Sequence, residues 1–248
     1  MQPPLFFAPP ERRDSDIITF PPEEARHALR VLRLEQGAIV IVVDGLGHAC
    51  RAELGIVSGK EVTARVLSDI RDFGEPSVRV TLAAGLSVGT KFDSVVQRGT
   101  ELGVSRLIPL LTEKSKVTID DPRKERTRLA RWRNVAVAAM KQCRRSYIPE
   151  IVPPTTYGSF LSQFERGDIG IIFHPGERSR SLERVDLPAQ IKRLTIAIGP
   201  ESGFSDSEIE SAIRAGLVPV GLGRRILRTE TAGPVALALV MARLGEFR

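Results

Sequence analysis

Two glycine-bearing segments hold the residue types that could do chemistry in this chain. The first is Ile196-Ala-Ile-Gly-Pro-Glu-Ser-Gly-Phe204, an apolar run that turns into a glycine-bounded loop. Gly199 and Gly203 let backbone approach a ligand closely, and Pro200 stiffens the turn between them. The second is Gly221-Leu-Gly-Arg-Arg-Ile-Leu-Arg-Thr-Glu-Thr-Ala232, again a strand end that enters a loop before a helix. Leu222, Ile226 and Leu227 offer an apolar slot, with backbone amides between them. Arg228, Thr229 and Glu230 set a fork donor, a hydroxyl and a carboxylate side by side. Ligands bind at the carboxyl ends of strands in open α/β sheets. Together the two segments predict a pocket for a small molecule that is partly apolar and partly polar.

Other chemistries are excluded by what is missing. Gly221-Leu222-Gly223 is followed by Arg-Arg-Ile, so it makes no dinucleotide fingerprint, and no glycine run ends in Lys-Ser/Thr. His27, His48 and His174 are far apart and fit no zinc pattern. There is no G-x-S-x-G nucleophile elbow. Cys50 and Cys143, the two cysteines, suit neither a disulfide scaffold nor a cysteine metal cluster. No metal is expected.

The elements that must position the two segments follow from periodicity. From Val78 onward, strands alternate with helices: strands at Val78–Ala84, Arg106–Leu111, Gly170–Phe173, Leu194–Ile198 and Val218–Leu222, and helices at Lys91–Leu102, Lys124–Gln142, Ser205–Ala215 and Pro234–Leu244. That alternation argues an α/β domain with a mostly parallel sheet. Ser205 and Glu208 form an S-x-x-E capping box ahead of Ile209, Ala212 and Ile213, and Gly216 stops that helix. The last helix is apolar on every side from Val235 to Ala242, which predicts burial in the core or against a second subunit. Before residue 73 the pattern is β-rich. Ala38–Asp44, Ala49–Val57 and Glu61–Leu67 read as strands around an Asp44-Gly45 turn. Glu23–Leu34 reads as a short helix, with Leu29, Leu32 and Leu34 inward and Arg30 and Arg33 outward. The breaker-rich Arg71–Pro76 sets a boundary between residues 1–73 and 77–248.

Charge is spread unevenly. The net charge of +6 over 248 residues lies in the second part, because the first 76 residues are net acidic. Arg123 to Arg145 holds nine basic residues against the single Glu125. On a helix, Leu129, Trp132, Val135, Ala136, Ala139 and Met140 share one arc, whereas Arg123, Lys124, Arg126, Arg131, Arg133 and Lys141 lie opposite. A face of one sign predicts contact with a polyanion, RNA or DNA. Hydrophobic residues at 42% and charged residues at 27% are ordinary for a globular protein. The longest apolar stretch falls far short of the ~18 residues of a membrane span. The opening MQPPLFFAPPERR does not read as a signal peptide. The chain is expected to be cytoplasmic.

At the two segments the sequence resembles the bacterial 16S ribosomal RNA uridine-N3 methyltransferases, a branch of the SPOUT trefoil-knot methyltransferases. Gly199-Pro200-Glu201-Ser202-Gly203-Phe204 is similar to that family's Gly-Pro-Glu-Gly-Gly-Phe/Leu, and Leu222 to Thr231 to its Leu-Gly-x-x-Ile/Val-Leu-Arg-Thr-Glu-Thr. Gln97–Val104, Glu113-Lys114-Ser115 and Gln142–Arg145 match further motifs, as do Phe6-Phe7, His27 and Val31–Leu34 near the N-terminus. The likeness spans the chain. Ser202 and Arg144 stand where the family has glycine, Arg98 and Lys114 exchange Lys with Arg, and Leu5 replaces an arginine. Lys and Arg are not equivalent at a bidentate site.

The resemblance implies an N-terminal PUA or OB-like β-barrel domain that helps hold RNA, and a C-terminal α/β domain tied in a trefoil knot. It implies S-adenosyl-L-methionine as cofactor, a homodimer, and 16S ribosomal RNA or the small ribosomal subunit as substrate. Ile198, Gly199, Gly203, Leu222, Gly223, Ile226 and Leu227 would hold the cofactor. Arg30, Arg33, Arg126, Arg133, Arg144 and Arg145 would contact RNA. Uridine N3 carries a proton and is a poor nucleophile until that proton leaves. Arg228 could stabilise the uridine anion, while Glu201 or Glu230 could accept the proton if burial raised its pKa toward neutrality. The alternatives are a knotted methyltransferase acting elsewhere on RNA, such as a ribose 2′-oxygen, and a non-catalytic RNA-binding protein, for which Ser202 is the one hint.

Overall fold

The computed structural model describes residues 2–57, 61–117, 121–164, 169–176, 180–188 and 190–247. The chain divides into two compact units, one formed by Met1–Glu75 with Val137–Ile148, the other by Pro76–Ala136 with Pro149–Arg248.

The first unit is a six-stranded sheet. Its strands are β1 (Leu5–Phe7), β2 (Arg13–Asp14), β3 (Ile17–Thr19), β4 (Ile39–Val43), β5 (His48–Val57) and β6 (Glu61–Arg71), in the order β1-β4-β5-β6-β3-β2. All pairs are antiparallel except β1 with β4, where Phe6 lies opposite Val42. The run Ile39–Val43 does not alternate because both faces are covered. Val40 and Val42 join Phe6, Phe20, Leu54 and Val62 in one core, and Ile41 and Val43 pack with Ala49 and Met140 in another. Residues 137–148, assigned from sequence to the C-terminal domain, count with this unit. Met140 packs there, and Glu75 takes hydrogen bonds from Arg145, Ser146 and Tyr147. The helix expected over Glu23–Leu34 is shorter: α1 (Pro22–Arg26) runs into a π-helical turn at His27–Val31. Leu29 and Leu34 pack against the core, but Leu32 is exposed.

The second unit is built on seven parallel strands. They are β7 (Arg79–Gly85), β8 (Arg106–Leu111), β9 (Glu150–Ile151), β10 (Thr155–Thr156), β11 (Gly170–Phe173), β12 (Arg193–Ile198) and β13 (Val218–Val220). Their order is β10-β8-β7-β12-β11-β13, with β9 also paired to β8. Ile171, Ile172, Ile196 and Ala197 are buried, as expected of a parallel sheet covered on both faces. The unit's helices are α2 (Lys91–Glu101), the first turns of α3 (Pro122–Cys143), α4 (Tyr157–Ser162), α5 (Asp206–Ala215) and α6 (Thr229–Arg243). α4 and α5 cover one face through Tyr157, Phe160, Phe204 and Ile209. From β13 at the sheet edge the chain returns over the middle, where α6 packs on β7, β12 and α2.

α3 is amphipathic along the arc its sequence predicts, with Trp132, Ala136, Ala139 and Met140 buried and Arg123, Lys124, Arg126, Arg131 and Arg133 exposed. The start of α6 differs from expectation. Pro234 lies inside the helix rather than at its first position. Proline cannot donate to the carbonyl four residues back, which breaks many helices. Here the Glu230 carbonyl accepts from Arg98 Nη1 at 3.4 Å instead, so the helix runs unbroken from Thr229.

Candidate functional site

The register of β11, β12 and β13 aligns Phe173 with Ile198 and with Val220, so three strand ends finish together. The loops that leave them enclose a cavity of about 360 Å³. Ile198, Gly199, Gly203, Leu222, Gly223, Ile226 and Leu227, singled out from sequence, all line it. Glu201 lines it too, with Thr229 and Ala232 from α6 and with Lys114, His174 and Asp206.

The wall formed by residues 199–204 is fixed at every turn. A Cβ on Gly85, at the end of β7, would come within 2.2 Å of Pro200 N, so the loop lies directly on that glycine. Gly203 N–H donates to Pro200 O at 2.8 Å, and Thr229 Oγ1 donates to Gly199 O at 3.3 Å. Lys114 Nζ donates to Phe204 O at 3.1 Å. Beyond Phe204 the capping box closes as read from sequence, with Ser205 Oγ accepting from Glu208 N–H and Glu208 accepting from Ser205 N–H. The second oxygen of that buried carboxylate accepts from Glu113 N–H at 2.8 Å, which ties the turn after β8 to the start of α5. Tyr157 donates its hydroxyl to the Glu208 carbonyl.

The wall formed by residues 221–228 is lightly held. Gly221 N–H donates to Arg180 O at 2.9 Å. Among the described residues, Leu222 to Leu227 make no hydrogen bond. Gly223 has φ +92° and nothing within 4 Å of where a Cβ would stand, so a side chain there would enter open space beside the cavity. Ile226 is 96% exposed.

Glu201 does not have the raised pKa a general base would need. Burial pushes its carboxyl up, but Lys91 at 2.9 Å, its own backbone amide and the Ser87 hydroxyl outweigh that and hold it below the usual carboxylate range. Arg228 and Glu230 flank Thr229 at the start of α6. Arg228 is the exposed N-cap, and its carbonyl accepts from Thr231 and Ala232. The Glu230 Oε2 is buried with no hydrogen-bond partner among the described residues.

The basic residues separate into groups. Arg30 and Arg33 are exposed beside the π-helical turn, and Arg126 and Arg133 are exposed on α3. Lys141 and Arg131 of the charged face are bound to Glu24 and Asp93. Arg144 is half-buried and donates to Pro3 O at 3.1 Å. Arg145 cannot serve as an RNA contact: it is buried, and its guanidinium grips Glu75 at 2.6 Å. A buried cation needs such a partner. Nothing local in the sequence marks Glu75 as that partner. Gly85, Lys91 and Glu208 also carry weight at the site that sequence reading did not assign, and for Glu208 the capping box was the available signal. Among the described residues no group of three His, Cys, Asp or Glu side chains could hold a metal ion, and no helix is long and apolar enough to cross a membrane.

Comparison with known proteins gives two family matches, an RNA methyltransferase domain over residues 74–241 and an RNA methyltransferase PUA domain over residues 20–67. A ribosomal RNA small subunit methyltransferase E from Synechocystis is 34% identical over 95% of this chain and 76% of its own length. Its counterpart from Bacillus subtilis is 31% identical over 88% of this chain and 87% of its own. The crystal structure of a ribosomal RNA small subunit methyltransferase E from Neisseria gonorrhoeae bound to S-adenosyl methionine superposes with TM-score 0.86, at 29% identity, over 100% of both chains.

Proposed function

The chain belongs to the RNA methyltransferase family, and from that premise we propose that it moves a methyl group from S-adenosylmethionine to N3 of a uridine in 16S ribosomal RNA of the small ribosomal subunit. The observation that carries this reading is the convergence of three parallel strand ends on one cavity lined by all seven cofactor-site residues singled out in the two glycine-bearing segments. The cavity fits the cofactor: Ile198, Leu222, Ile226 and Leu227 supply apolar contact, and the space beside Gly203 and Gly223, clear of other atoms, would be filled by a Cβ. When bound, S-adenosylmethionine supplies an electrophilic methyl group; the protein orients the reactants, excludes water and handles one proton.

Glu230 takes the N3 proton in this scheme, because its buried, unpartnered Oε2 has no competing donor. Arg228 donates to a uracil oxygen and stabilises the anion left behind. Glu201, paired with Lys91, holds the loop and is not the base. Arg30, Arg33, Arg126 and Arg133 attract phosphates. The products are 3-methyluridine and S-adenosylhomocysteine. An assembly of two copies through α6, which is apolar from Val235 to Ala242 and exposes Leu239, would complete the enzyme in the cytoplasm beside its ribosomal substrate.

The test is transfer of labelled methyl from S-adenosylmethionine to small subunits lacking their modifications, followed by nucleoside analysis. Label in 3-methyluridine is expected, and label in a ribose-blocked nucleoside overturns the N3 assignment. Reversing the charges of Arg126 and Arg133 should raise the KM for RNA and leave that for the cofactor unchanged.

A further inference from the structure

The cavity lining is not uniform, since apolar and charged side chains both contribute to it. Leu222, Ile226 and Leu227 supply apolar surface, with Arg225 among them. Lys114, from the turn after β8, Asp206, in the first turn of α5, and His174, just past β11, line it as well. The Lys114 ammonium is aimed by one bond, to Phe204 O at 3.1 Å, and has two further N–H groups to give. Its backbone is fixed as well, since the neighbouring Glu113 N–H is bonded to the buried Glu208. Asp206 projects from a helix whose cap is already satisfied by Ser205 and Glu208, so its carboxylate is not used up in capping. Both charges act on the same imidazole. His174 is pushed toward its neutral form first by burial, with Asp206 opposing and Lys114 adding to the effect. One cation and one anion of the lining therefore lie close enough to act on one imidazole.

That pattern is complementary to a zwitterion. We propose that Lys114 and Asp206 grip the amino-acid tail of the cofactor, Lys114 its α-carboxylate and Asp206 its α-ammonium, so that this pair sets specificity for a nucleoside that carries an amino acid. The proposal rests on the reading of the cavity as the S-adenosylmethionine site, and it adds which residues recognise the tail as distinct from the adenosine. Charge-assisted hydrogen bonds are the strong ones, and each group here would leave a partner unpaired if removed.

The experiment is calorimetric titration of the whole chain with S-adenosylhomocysteine and with 5′-methylthioadenosine, which keeps the adenosine and sulfur but lacks the amino acid. Wild type is expected to bind S-adenosylhomocysteine at least about tenfold more tightly, the scale of a charge-assisted bond. Lys114→Met and Asp206→Asn should each erase most of that preference, leaving 5′-methylthioadenosine affinity within about twofold. Lys114→Gln, which can still donate to Phe204 O, separates loss of charge from loosening of the loop and should behave like Lys114→Met. Equal weakening of both compounds in all three variants, or no weakening of either, overturns the tail assignment while leaving the cavity as the cofactor site. A wild-type chain that binds neither compound overturns the cofactor reading itself, and the tail assignment with it.

Discussion

The two walls of the cavity are made from similar material, a strand end and a glycine-bearing loop, yet one is built and the other is left loose. Residues 199–204 rest on Gly85, are bonded to Thr229 and Lys114, and lead into a closed capping box. Residues 222–227 make no hydrogen bond among the described residues, and Ile226 points almost wholly into solvent. A ligand that meets the first wall finds its shape already paid for by folding. One that meets the second must order it, and that ordering cost comes out of the binding free energy. On that difference, the first loop is expected to keep its shape when a ligand binds and the second to become ordered.

The largest effect should come from filling the loose wall. Gly223→Val places a β-branched side chain at φ +92°, where L residues are strained, and in the open space beside the cavity. Cofactor binding should fall below detection by calorimetry while the far-UV circular dichroism stays unchanged; retained binding would remove Gly223 from the site. Next, Gly85→Ala puts a methyl against Pro200 and shifts the built wall as a unit. Overpacking of this kind costs about 1–3 kcal/mol, so both thermal stability and cofactor affinity should drop together. A fall in stability alone would mean the wall's position is not what the ligand reads.

Glu208→Gln is expected to act on stability alone, and so has the smaller effect on the site. The amide keeps only one of the two acceptors that serve Ser205 and Glu113, and the unmatched N–H should cost about 1–3 kcal/mol in denaturant unfolding. Smallest is Glu201→Gln. Because the Glu201 pKa is lowered on folding, its ion pair contributes stability above the unfolded carboxyl value of ~4.3 and loses it as pH falls through the folded value. Both partners are more than a third exposed, so the wild type should melt only slightly higher at neutral pH. That difference should shrink as pH falls through the folded value, and a gap of constant size across the acid range would show that Glu201 acts through packing instead.

Local rules carried the parts of this fold that are local. Strands β8 and β11 begin and end where the apolar runs do, and α5 shows the capping box and the glycine stop that its sequence spells out. The failures are places where a distant residue intervened. Pro234 looks like a helix start until Arg98, 136 positions earlier in the chain and on α2, takes up the carbonyl that proline leaves unpaired. Arg145 reads as part of a basic surface until Glu75 claims it. Glu201 reads as one of two candidate proton acceptors until Lys91 appears beside it. The cavity residues were legible because glycine and apolar types mark a strand-end loop. The polar groups that set its charge come from other elements, and spacing along one segment cannot bring them into view.

The return of α6 over the middle of the sheet also governs how this unit comes into being. Its partners β7 and α2 are made well before it, and the helix that covers them follows every other element of the unit. Contacts between such distant parts of a chain are slow to form, since a long loop must close before they repay its entropy. The apolar surfaces of β7, β12 and α2 therefore wait uncovered until α6 has been made, and a nascent chain halted short of Thr229 would present them to chaperones or to one another.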